Sequence, residues 1–219
     1  MAKVFWCIPR ERTVYGEAFD AFIKVAFEAG ASLPDSIPLQ LPYARTDQVR
    51  TTYAEAFLSM SAGPDDVLVM LDSDMQHPPT VLPHLASHDS EHSPVGLLYC
   101  RRGEPWDPCA FNIDLTADYP ATYQRLVSWE EGLGSIDFVS TGAIAIRRWV
   151  FERLPWPWFV YQYDPDYWRK WGRWPGEDVY FAKLCMEHGI THWLDTSLIS
   201  RHLVVESIGA ERWQRRAAP

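Results

Sequence analysis

The sequence has no CxxC pair, and no cysteine spacing that suggests a zinc site or a disulfide framework; its four cysteines stand at 7, 100, 109 and 185. Reduced cysteines and a cytoplasmic location are expected. No apolar run comes near the roughly 18–20 residues that a membrane-spanning helix needs. The apolar opening at residues 1–9 is short for a signal peptide and reads as a first strand. Basic charge is in deficit, with 20 Lys+Arg against 29 Asp+Glu and a net charge of −9. That argues against a broad phosphate-coating surface and gives no support to a nucleic-acid acceptor. A glycine-rich phosphate loop is missing too, since Ile8-Pro9-Arg10-Glu11-Arg12 contains no glycine. No internal repeat and no linker interrupts the chain.

What remains is a 219-residue chain, 47% hydrophobic and 22% charged. Such a chain has the size and composition of one packed domain and excludes disorder. Tryptophan is over-represented at 11 residues. Residues 3–8 read as a buried strand ended by Pro9. A helix is expected over 17–29, with Phe19, Phe22, Ala26 and Phe27 on its apolar face and Gly30 as its stop. A second helix is expected over 47–61, with Val49, Tyr53, Ala56, Phe57 and Met60 on one face. The continuous apolar run 67–71 suits a central strand buried on both sides. Pro78 and Pro79 open a further helix to about 87, and 95–100 is another strand.

Residues 101–130 show weak periodicity and read as a long connection, the kind that is usually functional or mobile. Short strands follow at 136–139 and 143–146, a helix at 148–154, and a helix at 177–188 stopped by Gly189. Strand-like pieces lie at 191–194 and 198–200. Strands and helices alternate through the first hundred residues. The fold class is therefore α/β, a mixed, mostly parallel sheet flanked by helices. His84, His88 and His92 recur every four residues, a spacing that on a helix could bind a metal. They read instead as a solvated helix end before Pro94.

The chemistry concentrates where the central strand runs into Asp72-Ser73-Asp74. Ligand sites in open α/β sheets lie beyond the carboxyl ends of strands. Two acids one residue apart repel unless a cation joins them. Hard divalent cations take oxygen ligands and bridge to substrate phosphates, so the pair points to a metal-bound diphosphate. Glu177 and Asp178 stand at the start of a helix, where the macrodipole favours negative charge. Residues 156–174 hold five Trp, three Tyr and one Phe just before these acids. Flat aromatic faces suit sugar stacking or core packing.

Ile8-Pro9, Arg50, Leu71-Asp72-Ser73-Asp74 with His77-Pro78, Ser140-Thr141-Gly142-Ala143, Gly176-Glu177-Asp178-Val179-Tyr180-Phe181 and the late His202 together resemble the GT-A glycosyltransferases, particularly the family-2-like inverting enzymes. The resemblance implies one Rossmann-like GT-A domain over 1–219. Its nucleotide-binding part would cover about 1–100 and its acceptor-side part about 101–205. It implies a metal-dependent glycosyltransferase that moves a sugar from a nucleoside-diphosphate sugar, UDP favoured, to a hydroxyl of a carbohydrate or other acceptor. Asp72, Asp74 and His202 would hold Mn²⁺ or Mg²⁺. Ile8, Pro9, Arg10, Arg45, Asp47, Arg50 and Ser73 would contact the donor. Asp178 is favoured as the catalytic base with Glu177 supporting it, and Trp168, Trp171 and Trp174 as the acceptor platform. The Gln-x-x-Arg-Trp motif of processive synthases is absent, so a single-addition enzyme is expected. The alternatives are a nucleotidyltransferase, a retaining enzyme of the same fold and a non-catalytic carbohydrate-binding module. No feature of the sequence sets an oligomeric state.

Overall fold

A computed structural model describes residues 2–9, 14–103, 106–114, 122–172 and 175–204. Arg10 and Trp174 therefore lie outside the described residues. The chain opens with β1 (Val4–Cys7), α1 (Gly16–Ser32), β2 (Ile37–Leu39), α2 (Thr46–Met60) and β3 (Val67–Leu71). After β3 come β4 (Met75–Gln76), α3 (Val81–Ala86) and β5 (Val95–Leu98). The middle holds β6 (Ala110–Asp114), β7 (Thr122–Arg125), β8 (Leu133–Ile136), β9 (Phe138–Val139) and β10 (Ala143–Arg147). The remainder is α4 (Arg148–Arg153), α5 (Pro165–Trp171), α6 (Glu177–Glu187), β11 (His192–Ile199) and β12 (Arg201–His202).

Seven strands form one sheet in the order β2-β1-β3-β10-β5-β11-β8. Five of them run one way, while β10 and β8 run against the rest. The protein is thus an α/β domain, a mixed, mostly parallel sheet with helices on both faces, as the alternation of elements predicts. Every residue of β3 is buried, as its unbroken apolar run predicts. Leu68 and Met70 face a core shared with α2, α4 and α6, and Val67, Val69 and Leu71 face one shared with α1 and α3. Burial on both faces excludes the alternation of a half-exposed strand.

Four expectations are corrected. First, α1 buries Ala18, Ala21, Val25 and Ala29, while Phe19 and Phe27 stand 59% and 77% exposed. Small side chains let this helix lie close to its neighbours, and of the three phenylalanines only Phe22 packs against the core. Gly30 does not stop it; the helix runs on to Ser32. Second, residues 101–130 contain the antiparallel pair β6 and β7, which with β9 makes a separate three-stranded sheet. Third, the strand expected at 136–139 is two strands. β8 pairs with β11 in the large sheet and β9 pairs with β6 in the small one, so the chain changes sheets at Asp137. The Asp137 carboxylate accepts a 2.8 Å hydrogen bond from the Ile113 amide at the junction. Fourth, the two late strand pieces are one strand, β11, whose register against β5 shifts between Asp195 and Ile199.

Candidate functional site

β3 delivers Asp72 at its carboxyl end. Opposite it, α2 and α6 begin, and the loops between these termini enclose a cavity of about 500 Å³. Pro9, Arg45, Arg50, Asp72, Ser73, Asp74 and Glu177 line it, together with Tyr43, Arg102 and Tyr161. Seven residues chosen from sequence therefore meet in one place. Ile8, Asp47, Asp178, His202 and Trp168 stand outside that lining.

Arg50 is the centre of the charged wall. It is 2% exposed, and its guanidinium donates to Asp72 Oδ1 at 2.5 Å, to Glu177 Oε1 at 3.1 Å and to the Thr141 carbonyl at 3.1 Å. Burial works against its charge, but Asp72 and Glu177 outweigh that and hold its pKa above the ordinary guanidinium value. A buried cation with planar donors forked between two acids is a task for arginine rather than lysine. Arg50 thus ties the acid motif of β3 to the acid motif of α6, reaching 22 residues along the chain to Asp72 and 127 to Glu177. Burial, and Asp74 nearby, raise the Asp72 pKa despite Arg50.

Asp74 faces Arg102, whose Nη1 lies 2.8 Å from Oδ2. His202 reaches it from the other side. The short β4–β12 pairing sets His202 opposite Met75, and the Leu203 amide donates to the Asp74 carbonyl at 2.9 Å. His202 Nδ1 lies 2.6 Å from the Cys100 carbonyl, which can only accept. Nδ1 therefore carries a proton, and Nε2 faces Asp74 Oδ1 at 4.0 Å. A carboxylate and an imidazole nitrogen facing each other across that gap are donors of the kind a divalent cation takes. Asp72 does not join them as a third converging ligand; its Oδ1 belongs to Arg50.

The motif's backbone is pinned from behind. His77 is 2% exposed, and its Nε2 lies 3.2 Å from the Asp72 carbonyl while Nδ1 lies 2.9 Å from Ser200 Oγ. The carbonyl requires Nε2 to carry the proton, so Nδ1 accepts from Ser200. Burial pushes the imidazole down to about 4, which keeps it neutral. The Gly142 carbonyl accepts from the Asp72 amide at 2.8 Å, and the Gly142 amide donates to the buried Tyr99 hydroxyl at 2.9 Å. A Cβ at Gly142 would meet that hydroxyl at 2.6 Å, so only glycine fits this contact.

Asp178 is set differently from Glu177. Ser140 Oγ donates to its Oδ2 at 2.5 Å, and the Val179 amide donates to its Oδ1 at 2.8 Å. It has no cationic partner among the described residues, and burial followed by the neighbouring Glu177 charge raises its pKa. Arg45 pairs with Asp47 at 2.6 Å and lies over the Tyr161 ring, 5.6 Å from its centroid. Burial and then Glu177 push the Tyr161 phenol up to about 12, so it stays a neutral donor.

The aromatic segment divides. Trp158 is 6% exposed and donates to the Phe151 carbonyl at 3.1 Å, so it belongs to the core. Trp156 and Trp168 are exposed, Trp156 donating to Glu55 at 2.9 Å. Trp171 is the last residue of α5 and its side chain lies outside the described part of the structure; among the described residues the cavity takes its aromatic surface from Tyr43 and Tyr161. Sequence reading missed Tyr99, Tyr161 and Arg102. An isolated tyrosine or arginine carries no spacing signal, and these three join the site only through tertiary packing.

No family model matches the sequence, and no curated protein is similar to it. Solved structures do resemble it. The crystal structure of A197 from STIV superposes with a TM-score of 0.59 at 19% identity, over 94% of this chain and 87% of that one. A 4-diphosphocytidyl-2C-methyl-D-erythritol synthase aligns over 99% and 98% of the two chains at 10% identity, with a TM-score of 0.45. A glycosyltransferase involved in glycosylation of the major capsid of PBCV-1 aligns over the full length of both at 14% identity and a TM-score of 0.37. At 19% identity the likeness to A197 is one of fold.

Proposed function

We propose that the protein is a metal-dependent glycosyltransferase, which moves a sugar from a nucleoside-diphosphate donor to an acceptor hydroxyl with inversion. The observation that carries this reading is the meeting of two acid motifs, from the end of β3 and the start of α6, around one cavity bridged by Arg50. The donor's diphosphate would lie along Asp74 and Arg102, with its nucleoside toward Pro9, Tyr43 and Arg45.

The donor set at Asp74 and His202 fits a divalent ion. An imidazole in the set favours Mn²⁺ over Mg²⁺, which prefers all-oxygen shells. When bound, the ion supplies charge neutralisation for the departing diphosphate. Asp178 takes the proton from the acceptor hydroxyl. Its raised pKa makes it a stronger base than an exposed carboxylate, and the Ser140 hydrogen bond fixes its direction. Glu177 is a weaker candidate because Arg50 already neutralises it. Its role is to hold Arg50 and, through it, Asp72.

A thermal-shift panel of nucleotide sugars, UDP sugars first, with and without Mn²⁺, tests the donor class. One donor should raise the melting temperature in a Mn²⁺-dependent way, and Asp74→Ala should abolish that dependence. No shift with any donor would overturn the reading. Asp178→Asn should lower transfer by roughly 10²–10⁴-fold while leaving the donor's thermal shift intact. It should also raise the melting temperature of the free protein at neutral pH. A carboxyl with a raised pKa supports the fold fully below its unfolded value, and that contribution is lost as pH rises from there through the folded one. Transfer near the wild-type rate in Asp178→Asn would exclude it as base.

A further inference from the structure

A second cluster of titratable groups sits on the opposite face of the sheet from Arg50. Along β11, Leu194 faces the core of α2, α4 and α6, whereas Trp193 packs into the core of α1 and α3. Alternation places Asp195 with Trp193, over α3. Two histidines meet it there. His84 comes from the last turn of α3, and His88 lies just past its end. Their Nε2 atoms approach the same oxygen, Asp195 Oδ2, at 2.7 Å and 2.9 Å. The structure thus overturns the expectation of a solvated helix end for these two residues. His92 turns elsewhere, its ring 4.3 Å from that of Trp193.

We propose that His84, His88 and Asp195 form a binding site for one divalent transition-metal ion of the Zn²⁺ class, separate from the cavity at Asp74. Two imidazoles and a carboxylate are the ligands such ions take, with a fourth position left for water. The three donor atoms all lie within 4.8 Å of one another. Hydrogen bonding alone does not account for the arrangement. His84 Nε2 is placed to donate to Oδ2. His88 Nε2, just as close to that oxygen, is buried and makes no hydrogen bond. Oδ2 has lone pairs for both rings, yet the His88 ring meets it out of line for a hydrogen bond. A cation shared by all three would satisfy both imidazoles and the carboxylate.

The surroundings hold the donors ready. Asp195 is 2% exposed, and its other oxygen, Oδ1, accepts from the Ser197 amide at 2.8 Å and from Ser197 Oγ at 2.6 Å. That leaves Oδ2 directed at the histidines, the outer hydrogen bonding that orients metal-bound carboxylates. Arg147 donates to the carbonyls of Ala86 at 3.1 Å and His88 at 2.5 Å, which fixes the peptide that carries His88. Tetrahedral binding with bonds of about 2.0–2.1 Å needs ligand separations of roughly 3.3 Å. The nitrogens would therefore draw back from Oδ2 by about half an ångström, within the reach of small side-chain rotations. The ion would fasten the end of α3 to β11 where the register of that strand shifts.

The test uses the full chain, stripped with a chelator and titrated with Co²⁺ alone, a spectroscopic stand-in for Zn²⁺. We expect intense visible bands of tetrahedral type that saturate at one equivalent and are displaced by Zn²⁺. His88→Gln, at a partly exposed position, should weaken Zn²⁺ binding by roughly tenfold or more while circular dichroism stays native. His84→Gln should do the same and guards against a folding defect in the first variant. His202→Ala should keep the bands, which separates this site from the one at Asp74. His92→Ala should keep them too, which separates it from the exposed Asp89, Glu91 and His92 group nearby. Absence of tetrahedral bands in the wild type would overturn the proposal. So would bands that survive both His84→Gln and His88→Gln, or that vanish in His202→Ala or His92→Ala.

Discussion

The wall made by α2, β3 and α6 buries its charge, whereas the segment from 156 to 171 leaves much of its aromatic carbon in water. Arg50, Asp72 and Glu177 neutralise one another at the floor of the cavity. Trp156, Tyr161, Tyr163 and Trp168 are all exposed. Under the proposed function the difference separates two jobs. A diphosphate carries fixed charge and is best met by groups locked in place before it arrives. A sugar hydroxyl acceptor offers C–H faces and neutral donors, which flat rings meet without fixed counter-charges.

Breaking the charged wall should have the largest effect. Arg50→Met leaves the buried Glu177 and the part-buried Asp72 with no cation, which should destabilise the protein by about 3–5 kcal/mol. Urea denaturation at neutral pH measures it, and a loss below about 1 kcal/mol would mean that the two acids find other partners. A gentler attack on the same wall is acid. The unfolded His77 side chain takes up a proton near its ordinary 6.5, whereas the folded one, held down to about 4, does not. Its contribution is complete above pH 6.5 and is lost as pH falls from 6.5 toward 4, by up to about 3 kcal/mol. His77→Gln should make the acid limb of stability shallower than in the wild type, read from urea midpoints at pH 7 and 4.5. An unchanged limb would place the acid sensitivity elsewhere, for instance at the buried His192, whose pKa burial pushes down to about 3.

The aromatic side sharpens the contrast by splitting in two. Trp158→Ala removes a buried ring and should cost about 3–5 kcal/mol of stability. Trp168→Ala changes a surface and should cost no more than about 0.5 kcal/mol. Under the proposed function it should raise the acceptor KM several-fold and leave the donor KM alone. An equal rise in both would place Trp168 outside acceptor recognition.

How much of this the sequence reveals follows from where each signal resides. β3 is legible because a strand buried on both faces spells itself out in consecutive apolar residues, and the acids at its end are local in the chain. α2 and α6 are legible through their period. The face of α1 is not, because alanine counts as weakly apolar in a pattern that holds three phenylalanines. The small sheet of β6, β7 and β9 is invisible because its strands are short and pair partly with a chain segment that also serves another sheet. The Asp72 to Glu177 bridge and the Asp195 cluster have no local signature at all. The first joins residues 105 apart through Arg50, and the second brings His84 to an aspartate 111 positions away.

The sheet change at Asp137 restricts where this chain can grow or shrink. Val139 packs so closely on the backbone of β5 that a Cβ at Gly96 would stand 2.3 Å from its side chain. Two residues before Asp137, Ser135 is in register with Trp193 on β11. The two sheets are thereby phased to each other through a single residue. Because successive strand residues point to opposite faces, one inserted residue there would turn Val139 away from Gly96 or move Ser135 off its partner. Length variation among proteins with this architecture should therefore be purged around Asp137.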